Sequence, residues 1–323
     1  MIFRGLSLPS TAFIGFLWLS LAPAESRAQA FSNAAVGTTA AQFLNLIPTA
    51  RETALGGTSA ALTSGSNAIF WNPAGLARIE PQSPSEAGLS YAPLLETTYA
   101  GAASYAAPFP GGGVLGAGAL YFSQAAQTAY SDVGNAIGSF TPYDLDLAVA
   151  YARRFGDYLV GGDAKFIRSV IADAHGQTAA VDAGFQAPKA AMLGDGPVDF
   201  GADITNLGGP LTVGTVGSPL PLKLAGGACW HATPETGFAM DLNMPEGDSP
   251  YVTLGFEGTL KTGNLSSSLR LGFNQENLQS QAGALSGFSL GAGLDFRRMT
   301  IDYAWVPLGM LGALNQISIL YRF

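Results

Sequence analysis

Two histidines and one cysteine bound the nucleophilic and metal chemistry open to this 323-residue chain. His175 falls in a stretch that reads as a loop (Asp173-Ala174-His175-Gly176), His231 follows Trp230 at a strand end, and Cys229 has apolar neighbours. A lone cysteine forms no intramolecular disulfide, and the absence of a Cys/His cluster with ligand spacing excludes structural zinc. A Ser/His lipase or deacylase would need an oriented base beside an exposed serine. No G-x-S-x-G elbow provides one, so both histidines read as exposed or interfacial and Cys229 as a passive wall residue. Gly111-x-Gly113-x-x-Gly116 matches a dinucleotide fingerprint letter for letter. It follows Pro108 and Pro110, however, and leads into an alternating strand where a phosphate-binding helix is required. It reads instead as a turn and a Gly-rich strand. The expectation is no catalytic residue, no cofactor, no metal and no enzyme.

The remaining chemistry lies in charged groups, and these are few. Asp, Glu, Lys and Arg make up 12% of the chain, about half the ordinary share of roughly 25%. Glycine is abundant, at 42 residues. A hydrophobic content of 48% excludes intrinsic disorder, and the low charge with high glycine excludes a coiled coil or helical repeat. A net charge of −8 and a pI near 4.7 leave no basic footprint for nucleic acid.

The first thirty residues read as a secretory leader. Arg4 is a minimal positive region, Ala12 to Ala22 an apolar core, and Ala28-Gln29-Ala30 a small-x-small cleavage site. Beyond residue 30 no window of about 18 consecutive apolar residues occurs, so no spanning helix is expected. Mean hydropathy is nevertheless positive, at +0.24. A transmembrane β-barrel reconciles the two, because apolar residues that alternate with polar ones give a weak signal per segment.

Alternation is what the sequence shows from residue 87 onward. Leu145, Leu147, Val149 and Tyr151 oppose Asp144, Asp146, Ala148 and Ala150. Val252, Leu254, Phe256 and Leu260 oppose Thr253, Gly255, Glu257 and Thr259; Phe288, Leu290, Ala292, Leu294 and Phe296 oppose Ser289, Gly291, Gly293 and Asp295. Segments of this kind fall near 87–95, 97–107, 112–123, 144–155, 157–172, 178–188, 197–206, 219–230, 236–244, 250–260, 265–274, 285–295, 299–305 and 314–323. These predict an all-β fold, an antiparallel transmembrane barrel of about 14 strands, and an even count closes such a barrel without a free edge. A soluble β-sandwich or propeller alternates equally well; the leader, the low charge and the chain end favour the barrel. Phe109, Tyr121, Phe122, Tyr143, Tyr158, Trp230, Tyr251 and Trp305 suit interfacial girdles.

The inward face, by alternation, holds Asp144, Asp146, Asp163, Asp182, Asp199, Asp203, Asp241, Glu257, Asp295 and Asp302 against Arg154, Lys165, Lys223, Arg270 and Arg297. These are expected to hydrogen-bond and salt-bridge a plug, and any unpaired surplus of acids would bias conduction toward cations. Residues 31–86 lack strand periodicity and so form the expected hatch for the lumen of an 87–323 barrel, behind a 1–30 leader. Within the hatch, Asn72-Pro73-Ala74-Gly75 is turn chemistry.

Two further signatures are specific. The end of the chain places Ile317, Ile319, Tyr321 and Phe323 on one face of an alternating last strand, which resembles the signal read by the barrel-assembly machinery; Asn315 stands where an apolar residue is usual. The run Ala50-Arg51-x-x-Ala54-Leu55-Gly56-Gly57, with Phe70-Trp71-Asn72-Pro73-Ala74-Gly75-Leu76, Asp302-Tyr303-Ala304 and Pro307-Leu308-Gly309-x-Leu311-Gly312, resembles the PorV/PorQ group. That group is similar to FadL-type outer-membrane barrels. The resemblance implies a fourteen-strand barrel with an amino-terminal hatch in the outer membrane of a diderm bacterium, surrounded by outer-membrane lipid. It implies passage of hydrophobic small molecules, or alternatively a role in type 9 secretion through binding of exported proteins at loops such as 124–143 and 207–218.

Overall fold

A strand whose side chains alternate between apolar and polar is stable in hydrocarbon only when every backbone N–H and C=O is paired, which a closed antiparallel ring achieves. The computed structural model describes residues 37–323 apart from 47, 96, 280–284 and 310–311, so the leader and its Ala30 cleavage site lie outside the described residues. Its first strands are β1 (Glu86–Pro93), β2 (Tyr99–Pro108), β3 (Val114–Ser123), β4 (Gln127–Tyr130), β5 (Ala136–Phe140) and β6 (Tyr143–Phe155). There follow β7 (Tyr158–Ile171), β8 (Ala174–Leu193), β9 (Gly196–Gly208), β10 (Leu211–Val213), β11 (Val216–Ser218) and β12 (Lys223–Thr233). The last are β13 (Thr236–Pro245), β14 (Tyr251–Thr262), β15 (Leu265–Asn274), β16 (Phe288–Phe296), β17 (Met299–Pro307) and β18 (Ala313–Arg322).

Among the described residues fourteen of these strands close one barrel, in the order β1-β18-β17-β16-β15-β14-β13-β12-β9-β8-β7-β6-β3-β2. The seam is the antiparallel pair of β1 with β18, Glu86 opposite Arg322 and Tyr91 opposite Ile317. The other two pairs, β4–β5 and β10–β11, are hairpins inside the 124–142 and 209–222 connections, where the sequence showed loops. Among the described residues no helix is long and apolar enough to cross a membrane.

The two ends of the barrel differ. Short turns at 156–157, 194–195, 234–235, 263–264 and 297–298 share one end with the five-residue turn 109–113; the other end carries the long 124–142 and 209–222 connections beside shorter ones such as 172–173. Gly111, Gly112 and Gly113 all take positive φ near +96° to +98°, so the apparent dinucleotide fingerprint is a turn entering β3.

Alternation is read out faithfully by burial. On β6, Asp146, Ala148 and Ala150 are buried while Leu147, Val149 and Tyr151 are exposed on the outer wall. Ile317, Ile319, Tyr321 and Phe323 share the outer face of β18. Outer aromatics gather at both ends. Tyr91, Tyr99, Tyr121 and Tyr143 run side by side across β1, β2, β3 and β6 at the loop end, with centroid spacings of 6.2, 6.1 and 5.9 Å. Phe109–Tyr151, Tyr158–Phe185, Trp230–Phe238 and Tyr321–Phe323 pair at the turn end. Two expected girdle residues face inward instead: Phe122 packs on a luminal apolar cluster and Tyr251 lines a luminal cavity. Each sits near a strand end, where position alone does not reveal the face.

Between residue 37 and β1 the chain forms no strand among the described residues. It carries short helical turns at Gln42–Asn45, Ala50–Ala54, Ser66–Phe70 and Pro73–Arg78 and fills the lumen. Pro73 follows an N-cap, Asn72, whose Oδ1 accepts the Ala74 N–H at 3.1 Å, the arrangement that Asn-Pro favours at a helix start.

Candidate functional site: the hatch and the inner wall

Glycines on the inner wall let the hatch backbone lie directly against the strands. A Cβ on Gly201 of β9 would collide with the Ala60 carbonyl, one on Gly161 of β7 with the Pro73 carbonyl, and one on Gly184 of β8 with the Asn72 amide oxygen. On the opposite side Gly272 and Gly291 meet the peptide at Leu55–Gly56 and the Ala54 methyl. The unusual glycine content thus traces a groove without side chains in which residues 54–76 are seated. Gly75, in the hatch, is needed for the same reason, since its Cβ would lie 2.5 Å from Thr63 O.

Polar groups then pin the seated segment. Asn72 is fully buried, and its Nδ2 donates to the carbonyls of Ala60 (2.8 Å), Phe185 (3.1 Å) and Ala202 (3.3 Å), the last two on β8 and β9. Asp241 Oδ2 accepts the Ser59 and Ala60 N–H groups at 2.7 and 2.9 Å. Ser318 Oγ accepts the Ala50 N–H at 2.8 Å, and Thr53 Oγ1 donates to Gln316 Oε1 at 2.5 Å. Trp71 Nε1 donates to Thr49 Oγ1, whose own proton goes to Glu52.

Two hatch arginines supply part of the positive charge that the wall lacks. Arg51 forks onto Glu257 (Nε–Oε2 3.0 Å, Nη2–Oε1 3.1 Å), Glu257 also takes Arg270 Nε at 2.6 Å, and Arg270 Nη1 reaches Asp302 at 2.6 Å. Arg78 Nη2 meets Asp199 at 3.1 Å while its Nε donates to Gln186. Burial raises the Glu52 carboxyl above its ordinary range, against the opposing pull of Arg51 and Thr49. At the turn end Arg322 bridges Glu86 and Asp295, each at 3.1 Å. Arg51, Glu52, Arg78, Arg270, Asp302 and Arg322 line a polar vestibule of about 540 Å³ between hatch and wall.

Several expected luminal charges therefore meet the hatch: Glu257, paired directly with Arg270, also takes Arg51, Asp199 takes Arg78, and Asp241 takes peptide N–H groups. Asp146, Asp163, Asp182 and Asp203 are buried on the inner wall around Lys165, which pairs with Asp182 at 2.6 Å and donates to Asn206 at 3.1 Å. Asp144 stands beside Ser169 toward the loop end. Lys223 Nζ lies 6.0 Å from the Trp71 ring. Arg297 is a correction: it is exposed in the β16–β17 turn with φ +59° and stacks on Phe296 at 4.9 Å, because β16 ends one residue before it. The sequence pattern expected the wall charges to bridge a plug but did not name Arg51 and Arg78 as the partners. Both lie in a segment with no periodicity to orient them.

The loop end of the lumen is chemically different. Phe43, Ala102, Leu120, Ile167, Ala180, Leu211 and Leu220 form a buried apolar cluster, joined by Leu44, Leu46, Phe70 and Phe122. Phe43, Leu44 and Leu46 belong to the leading arm of the hatch and Phe70 to its Ser66–Phe70 turn; the others come from β2, β3, β7, β8 and the β10–β11 connection that roofs them. The Ala40 N–H ties the arm to this roof through Pro219 O at 2.8 Å. A cavity of about 60 Å³ lies beneath the arm, against Phe70, Trp71 and Tyr251. Beside the apolar cluster the β8–β9 ladder loses register between Val181 and Ala183, and it does so again between Ala187 and Ala191. On the outer wall near the second break, Leu193, Val198, Trp230, Phe238 and Met240 line an apolar depression of about 600 Å³.

Of the remaining candidates, His175 is exposed at the start of β8. His231 and Cys229 both lie on the inner face of β12, where Cys229 is directly opposite Asp199 of β9. Among the described residues no group of three or more His, Cys, Asp or Glu is placed to hold a metal ion.

No protein-family model matches the sequence, and no curated protein matches it. Solved structures do resemble the fold. The toluene transporter TbuX of Ralstonia pickettii aligns over 85% of this chain and 98% of its own, at 14% identity and a TM-score of 0.56. The toluene transporter TodX of Pseudomonas putida aligns over 83% and 95%, at 13% identity and a TM-score of 0.55. A FadL homologue from Pseudomonas aeruginosa aligns over 85% and 98%, at 12% identity and a TM-score of 0.53. At these identities the likeness is one of fold: a FadL-like closed barrel of fourteen strands.

Proposed function

We propose that this barrel sits in the outer membrane, with its short turns toward the periplasm, and passes apolar small molecules around a hatch that stays seated. The observation that carries the reading is the apolar chamber at the loop end, which the hatch arm fills with Phe43, Leu44 and Leu46. Apolar side chains of the chain's own arm occupy there the volume that an apolar ligand would take. The seated part of the hatch, from residue 49 to 78, is held by ion pairs and buried hydrogen bonds; the arm rests on apolar contacts and its bond to Pro219. Displacing the arm therefore costs far less than expelling the hatch. The loss of register in β8 beside Ala180 supplies the kinked wall that a sideways exit into lipid requires. The fold shared with two toluene transporters supports passage without deciding the ligand. Membership of the PorV/PorQ group, suggested by the Ala50–Gly57 and Phe70–Leu76 motifs, belongs to this proposal too.

The test is a titration of the purified full chain in detergent with an environment-sensitive apolar dye, 1-N-phenylnaphthylamine. Saturable binding by the native chain, reduced about tenfold or more by Leu120→Asp, is expected from loss of one buried apolar contact and burial of a charge. Partitioning no greater than into empty micelles would sink the proposal. The export reading predicts a different result: stoichiometric co-purification of secreted proteins that share a carboxy-terminal domain. Its nearest structural support is the exposed β4–β5 hairpin, with Tyr130, Val133 and Ile137 open to solvent at the loop end.

A further inference from the structure

At the turn end of the lumen, alternation and register bring together three side chains that are separate in the sequence. Cys229 and His231 are two residues apart on β12 and so share its inner face; Asp199 of β9 is the direct cross-strand partner of Cys229. His231 Nε2 lies 3.4 Å from Asp199 Oδ2. The same oxygen receives Arg78 Nη2 at 3.1 Å, and Asp199 Oδ1 accepts the Lys189 N–H at 2.8 Å, so the carboxylate is held from both sides. The other imidazole nitrogen, Nδ1, and Cys229 Sγ both approach one point beside β13. The partner of His231 on β13 is Gly237, which has no side chain to fill the space before them. A carbon placed at the Cβ position of Gly237 would lie 3.8 Å from Cys229 Sγ and 3.9 Å from His231 Nδ1, ordinary contact distance from both.

This is the order of parts that activates a nucleophile: carboxylate, imidazole, thiol, with the base between its orienting acid and the group it deprotonates. The surroundings limit what fits. Ala61, Leu62 and Ala239 pack around Cys229, while the imidazole is 42% exposed and faces the turn-end opening.

We propose that Cys229, His231 and Asp199 form an acyl-transfer site for short-chain esters or thioesters entering from the turn end. In the first step Sγ bonds to the carbonyl carbon and its proton passes to His231 Nδ1. The carbon–oxygen or carbon–sulfur bond to the leaving group then breaks, and the leaving alkoxide or thiolate takes that proton. In the second step His231 takes a proton from water, the hydroxide adds to the thioester, and the carbon–sulfur bond breaks. The acid leaves and the thiol is restored, so one ester or thioester and one water give one acid and one alcohol or thiol. Asp199 is a positioning residue, fixing the ring through Nε2. Passage of apolar molecules does not enter this argument, and the two proposals stand or fall separately.

The experiment treats the full-length protein in detergent with p-nitrophenyl acetate, following p-nitrophenolate release and locating the acetyl group by peptide mass spectrometry. The expected result is a burst of one p-nitrophenolate per chain and acetylation of Cys229, with His231→Gln slowing acylation about a hundredfold. Folding of His231→Gln is checked independently by its heat-modifiable mobility. The pH profile separates roles: the native acylation rate should depend on pH less steeply than that of His231→Gln, which has no base and should follow ionisation of its thiol. Cys229→Ser should abolish the burst. Acetylation of Cys229 no faster than that of a small free thiol, no acetylation at all, or an unchanged rate in folded His231→Gln would overturn the assignment.

Discussion

Cutting Asn72 back to Ala measures how firmly the hatch is held. The amide donates to three carbonyls and accepts one N–H, at zero exposure. The Ala60 carbonyl keeps a second donor, Gln186 Nε2 at 3.2 Å, so it is not orphaned. The Phe185 and Ala202 carbonyls and the Ala74 N–H each lose a partner, and a net bond is worth about 1 kcal/mol. The loss is therefore about 3 kcal/mol. It should fall on local opening of the hatch, because strand pairing is untouched. At about 1.4 kcal/mol per factor of ten, amides between residues 50 and 78 should exchange roughly a hundredfold faster. Hydrogen-exchange mass spectrometry of the full chain in detergent reads this directly, with peptides from β14 to β18 as the internal reference. Asn72→Asp keeps the acceptor for Ala74 but turns oxygen lone pairs toward the carbonyls, and it should open at least as readily. Native-like protection of the hatch in both variants would refute the idea that this amide fastens it to β8 and β9.

Two other outcomes follow from the same packing. Gly201→Leu drives a side chain into the Ala60 carbonyl, so trypsin should cut at Arg51 or Arg78 far faster than in the native protein while heat-modifiable mobility persists; equal cleavage rates would argue against the glycine groove. Deleting Phe323 removes its N–H bond to Ser85 O at 3.0 Å and the edge contact with Tyr321 at 5.2 Å, and the folded band in membrane fractions should weaken markedly; an unchanged yield would mean that the terminal aromatic has no part in assembly.

The wall was legible in the sequence because a strand in a ring has only two faces, and a period of two shows which residues share one. Asp146, Ala148 and Ala150 could be placed opposite Leu147, Val149 and Tyr151 without knowing any neighbour. Bulges are where this runs out. The shifts in β8 at Val181/Ala183 and Ala187/Ala191 extend it well beyond the 178–188 segment that alternation marks. The hatch was recognisable by lacking periodicity, and for that reason its contacts were not. That Gly161 faces Pro73, or Gly201 faces Ala60, depends on registers set by strands a hundred residues apart, and a glycine carries no polarity to announce its face. Asp199, His231 and Cys229 come together in the same way, through the pairing of β9 with β12, which the intervening β10–β11 connection hides. Phe122 and Tyr251 show the converse, since an aromatic near a strand end is equally at home in a girdle or a lumen.

The seam between β1 and β18 sets an order of events. Residues 79–85 join the last hatch turn to β1 at Glu86, and β18 is the last barrel strand in chain order. Its Ser318 and Gln316 hold Ala50 and Thr53 from the inside, and its Arg322 pairs with Glu86 at the junction. A hatch left outside when this seam zips would face a finished cylinder whose turn end is flanked by its own tether. Threading must therefore precede closure: the first residues to emerge wait, folded over the inner face of an open sheet, for the final strand to shut them in.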